Sequence, residues 1–118
     1  LEESAPETDE DWEQVRFQAL QMIEASNLLM MEDRQVVLPG QQLLDAGLEG
    51  NLTAEQIQAA IQEQRTGFIS FAQAFQNAAM ESLTAIDAKD TDALSNAGGT
   101  LDEACENCHT TFWYPAAQ

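Results

Sequence analysis

Both cysteines and the only histidine of the 118-residue chain stand together as Cys105-Glu106-Asn107-Cys108-His109, close to its C-terminal end. On a helix a separation of three residues is about one turn, so the two thiols project on neighbouring faces of one segment. Thiols so placed reach the two vinyl groups of one porphyrin and form a thioether with each. The adjoining imidazole is then tethered where it can bind the iron, and imidazole is a good ligand for either oxidation state. Cys-x-x-Cys-His is the attachment signature of a c-type haem, and the motif needs all three residues. The spacing therefore predicts one haem c, held covalently through Cys105 and Cys108, with His109 as an axial ligand to the metal.

Three other chemistries use the same residue types. A disulfide or thioredoxin-type redox pair would employ both cysteines, but that fold requires strands. Val, Ile and Thr nowhere alternate with polar residues for long enough to make one. A structural zinc site wants four ligands, whereas this cluster offers three adjacent ones and no second pair. The remaining reading is a helical interaction module with an incidental Cys-x-x-Cys.

The elements that must hold the motif read as helices. The acidic opening, residues 1–8 with Pro6, is a frayed lead-in. Thr8 is the N-cap of a first helix, with Asp9, Glu10 and Asp11 at the positive end of its dipole. Trp12, Val15, Ala19, Met22, Ser26 and Leu29 recur at steps of three and four, one inward stripe on a helix running to about Asp33. Pro39 opens a short helix through Leu43 and Leu44, ended by Gly47 or Gly50. Thr53 and Gln56 form a capping box. Behind it Ile57, Ile61, Gln64, Phe68, Phe71, Phe75, Ala78, Ser82 and Ile86 predict one long helix, with a turn at Thr66-Gly67 as the alternative.

A last helix, capped by Asp90 or Thr91, turns Leu94, Ala97, Leu101, Ala104, Cys108 and Phe112 inward and ends before Pro115. Gly98 and Gly99 lie inside it, where glycine costs stability; close approach of a neighbouring helix or a flat ligand would account for them. Phe68, Phe71, Phe75 and Phe112, with Trp12, supply core and pocket walls. Three long amphipathic helices and one short one make an all-α antiparallel four-helix bundle, a single domain over 1–118.

Asp and Glu number 21 against four Lys and Arg, a formal charge of −17. Nucleic acid and anionic lipid are repelled by such a surface, whereas a basic protein is attracted. Apolar residues at 44% suffice for a core, yet no run approaches the roughly 18 needed to span a bilayer, so no membrane insertion is expected. No charged-then-apolar leader opens the chain, which reads as the processed form of an exported protein.

The run from Asp92-Ala93-Leu94 through Gly98-Gly99 to Ala104-Cys105-Glu106-Asn107-Cys108-His109 resembles the final helix of the cytochrome c′ family, the class II cytochromes c. The likeness covers the first helix and roughly the last 50 of 118 residues, while Val36 to Leu52 find no counterpart. It implies a periplasmic four-helix bundle with one haem near its C-terminus. Members differ at the sixth iron position, which an apolar side chain from the first helix leaves open and a Met from the same place fills. Val15-Arg16-Phe17 is similar to the family's aliphatic-basic-aromatic run, and the distal position five residues on is Met22. The helical stripe also turns Met22 inward, so Met22 is the expected second metal ligand. Its bland reading is core filler. Met30, Met31 and Met80 are the competing thioethers, and a register slip of two would put Leu20 there.

Arg16 stands at the family's basic position and is expected to pair with a haem propionate, a role for which a guanidinium fork is suited; a solvated surface arginine is the alternative. Phe112, three residues after His109, fits the family's aromatic beside the cofactor. Two departures stand out. Gln18 or Ala19 replaces a second basic residue, and Trp113 replaces an arginine, which would shield the His109 side from water. The reading that results is a one-electron carrier rather than an enzyme, low-spin with His109/Met22 ligation and served by a basic redox partner. Pairing of two copies through their first helices is implied by the resemblance and opposed by the charge. A five-coordinate protein that binds nitric oxide or carbon monoxide at an open site is the alternative.

Overall fold

A computed structural model describes residues 5–44 and 47–115. Four helices account for most of them: α1 (Asp9–Leu29), α2 (Ala54–Glu63), α3 (Arg65–Asp87) and α4 (Thr91–Phe112). No strand occurs among the described residues, and the chain is an all-α four-helix bundle. The expected caps start the helices. Thr8 Oγ1 accepts from the Asp11 amide at 3.0 Å while the Asp11 carboxylate accepts from the Thr8 amide at 3.2 Å. Thr53 and Gln56 repeat this reciprocal arrangement at 3.2 and 2.8 Å. Asp90 Oδ1 accepts from the Ala93 amide at 3.0 Å and caps α4.

Polar contacts fix the directions of the long helices. At one end Arg16 Nε lies 2.8 Å from Asp87 Oδ1, and Lys89 Nζ 2.8 Å from Asp9 Oδ1. Midway, Gln76 Nε2 donates to Ser26 Oγ at 2.8 Å and Asn27 Oδ1 at 2.7 Å. At the far end Arg65 Nη2 donates to the Met30 carbonyl at 2.6 Å. So α3 runs antiparallel to α1, and the link at residues 88–90 turns α4 back along α3. Trp12, Ala19 and Ile86 form a buried cluster near the first end, with Val15, Leu83 and Leu94 against it. Buried Ala72, Ala79, Ala97 and Ala104 keep the facing surfaces small, which lets helix axes come close.

Three expectations need correction. The single long helix is broken at Gln64 (φ −115°, ψ 40°) into α2 and α3, and not at Thr66-Gly67. The short element of the bundle is therefore α2. The helix expected from Pro39 is absent among the described residues; Gly40 at φ 84° follows the proline directly, and Gln41 N closes a turn on the Leu38 carbonyl. Finally, α1 stops at Leu29 with Met30 as its C-cap, short of the expected end at about Asp33, which is itself left-handed at φ 61°.

The placement of α2 matters for the site. The Leu52 amide, just before it, donates to the Trp113 carbonyl at 2.8 Å, and its last residue adjoins Arg65. Both of its ends are thus tied to the end of the bundle where α4 finishes. A 10-residue helix is about 15 Å long, so α2 crosses that end rather than running the bundle's length.

Candidate haem site

The last two turns of α4 carry the motif. Ala97, Ala104 and Phe112 are buried on the inward face, and Leu94, Leu101 and Cys108 are half-buried beside them, as the stripe predicts. Phe112 packs edge-on against Phe68 and Phe71, with ring centroids 5.4 and 5.8 Å away. That contact anchors the helix where the motif lies. Trp12 belongs to the cluster at the other end, so it is core and not a wall of this site.

Cys105 and Cys108 are free and half-buried. Burial pushes the Cys105 thiol above its ordinary 9.0, and the nearby Asp102 and Glu106 carboxylates add to the shift. Burial raises Cys108 likewise, helped by Cys105. An activated redox pair needs the opposite, a lowered pKa in an electropositive setting.

His109 sits in an aromatic surround. The Trp113 ring meets it edge-on at 5.0 Å, with an interplanar angle of 87°, and the Tyr114 ring lies 5.9 Å away. Tyr114 Oη donates to Glu106 Oε2 at 3.0 Å, which ties the end of the chain back to the motif. Desolvation, then that hydrogen bond, raise the Tyr114 hydroxyl above its ordinary 10.0. The shielding expected of Trp113 has its geometric basis in this contact.

Two features suit a flat, partly anionic group. Trp113 Nε1 is buried with no hydrogen-bond partner. Gly98, half-buried and two turns before Cys105 on the same face, has open space where a Cβ would stand, with no atom within 4 Å. A neighbouring helix is thus not what the glycine accommodates. The residues present fit a haem: two thiols for its vinyl groups, an imidazole for its iron and, at Gly98, a helix face without a side chain.

The other candidates fall elsewhere along the bundle. Met22 is half-buried between buried Ala19 and Ser26 on α1. It lies a turn above the Ser26–Gln76 level, while His109 lies below it, an offset on the order of 10 Å along the axis. Met30, the C-cap of α1, is nearer the level of His109. Arg16 is exposed and paired with Asp87 at the opposite end. Arg65, which the sequence reading passed over, approaches the motif through Phe68, the ring that meets Phe112, its guanidinium 5.9 Å from the centre of that ring. Its signal was present, since it is one of four cations and stands three residues before the first phenylalanine of the stripe. A cleft of about 510 Å³ between the 33–41 segment and α2 is lined by Val36, Leu38, Gln58 and Gln62 and by none of the motif residues.

An all-α bundle with this motif on its last helix defines a haem-binding c-type cytochrome. The family model for cytochrome c′ matches residues 7–113, and the chain belongs to the cytochrome c′ family, whose members bind haem c and are typically periplasmic. No curated protein and no solved structure gives a match. Among the described residues no helix is long and apolar enough to cross a membrane.

Proposed function

We propose that this chain is a periplasmic monohaem cytochrome that carries single electrons, in which Cys105 and Cys108 would hold one haem c covalently and His109 and Met22 would bind its iron. The observation that carries the reading is the pair of free, half-buried thiols one turn apart on α4 with the His109 imidazole beside them against the Trp113 ring. Haem, when bound, supplies an iron couple that accepts and returns one electron. The chain does the rest. Cys105 and Cys108 would anchor the ring, while Trp113 meets the His109 plane edge-on and Phe112 keeps the end of α4 against α3. Support for Met22 comes from its half-buried, inward position between the buried residues Ala19 and Ser26. Met ligation of a buried haem favours the ferrous state.

A second reading, an open sixth position that takes nitric oxide or carbon monoxide, draws support from the family match and from the axial offset of Met22 relative to His109. Visible spectra decide. Sharp low-spin bands of the reduced protein that ignore carbon monoxide are the outcome for the carrier, and Met22→Ala then gains a carbon monoxide response. Broad high-spin bands that shift with the gas in the parent overturn the carrier in favour of gas binding. The exposed Phe17 and Leu28 of α1 offer apolar area for self-association against the net charge, and sedimentation velocity of the holoprotein reads whether copies pair.

A further inference from the structure

Four cations share this chain with 21 carboxylates, so each has an ample choice of counter-ion. Arg16 takes Asp87 and Lys89 takes Asp9, while Arg34 is exposed to water and makes no ion pair among the described residues. Arg65 is half-buried and, among the described residues, has no carboxylate within ion-pair distance. Its Nη2 donates to the neutral Met30 carbonyl at 2.6 Å, and its face rests over Phe68. A guanidinium has five N–H donors in a planar fork, so most of its capacity is unused. Partial removal of a cation from water with no anion beside it is unfavourable. In a polypeptide this acidic, such a group suits an anion that the chain itself does not supply.

Its position points the same way. Met30 lies one turn beyond Ser26, near the level of His109, and Phe68 touches Phe112 three residues past that histidine. Resting on the haem reading, we infer that Arg65 is the counter-charge of the haem carboxylates, the role the first-helix basic position suggested for Arg16. Arg16 is committed to Asp87 at the other end of the bundle. The donor left over at Arg65 can take one carboxylate in a forked, charge-assisted pair while Nη2 stays on Met30. A cation held there favours the reduced iron, because it offsets the electron that arrives. A purely structural role is the competing account, since α1 has no basic residue in its last turn and Arg65 answers its terminal carbonyl from α3.

The test compares holoprotein carrying Arg65→Gln, Arg65→Lys or Arg16→Gln with the parent. Intact mass, the resonance Raman propionate bending band and the equilibrium reduction potential are measured on each. Arg65→Gln is expected to shift the band and lower the potential. Arg65→Lys should shift the band but keep most of the potential, and Arg16→Gln should alter neither. A haem-loaded Arg65→Gln with parental band and potential overturns the inference whatever its melting temperature, as does an Arg16→Gln that reproduces its shifts. Should Arg65→Gln fail to fold, an unshifted band in Arg65→Lys has the same force. A parent chain without a haem adduct removes the haem reading and this inference together, whereas a loaded parent with silent Arg65 variants removes this inference alone.

Discussion

The amides of Glu7 and Thr8 both donate to the Asp11 carboxylate, at 3.1 and 3.2 Å, and these bonds hold its pKa below the ordinary 3.8. Asp9 is lowered too, by its hydrogen bond to Lys89 and then by that charge. A depressed folded-state pKa stabilises the native chain fully above the ordinary value and loses that contribution as pH falls through the folded one. Melting temperature is therefore expected to fall with acidification from about pH 5 to about pH 2, and less steeply in Asp11→Asn. Parallel slopes in circular dichroism melts would count against the cap. At this scale the haem motif was legible because its chemistry lies in adjacent residues. Arg65 showed there only as a scarce cation ahead of Phe68, since its partner Met30 stands 35 positions away and only the fold brings them together.

Gly98 raises the question of what a helix is shaped around. A helical glycine costs about 1 kcal/mol relative to alanine, and a Cβ at Gly98 meets nothing within 4 Å. Gly98→Ala is expected to raise the melting temperature of the haem-free chain while lowering the haem-to-protein ratio on loading. An equal gain with and without haem would separate Gly98 from the cofactor. The same element shows what periodicity can and cannot reveal. Caps at Thr8, Thr53 and Asp90 are local hydrogen bonds, so residue types sufficed to find them. The break at Gln64 hides from the pattern because Gln64 N still bonds Ala60 and Phe68 N still bonds Gln64, which keeps the stripe in phase. The segment beyond α1 takes its shape partly from Val36 N bonding Gln58 Oε1 across 22 residues, which no short-range rule contains.

For the molecule as a whole the charge of −17 dominates long-range behaviour. It extends steering toward a basic partner well beyond contact, and salt screens it over about 10 Å at 0.1 M. Under the proposed carrier role, stopped-flow electron transfer with a basic acceptor should slow steadily as ionic strength rises. A rate indifferent to salt would mean that an apolar face governs the encounter.

The crossing helix α2 gives the bundle two unequal ends. One is closed by Trp12, Ile86 and two ion pairs. The other is shut by a short segment fastened through the Leu52–Trp113 bond and a kinked junction at Gln64. The two ends therefore differ in what would have to give way to open them: core packing and two ion pairs at the first, the Leu52–Trp113 bond and the Gln64 junction at the second.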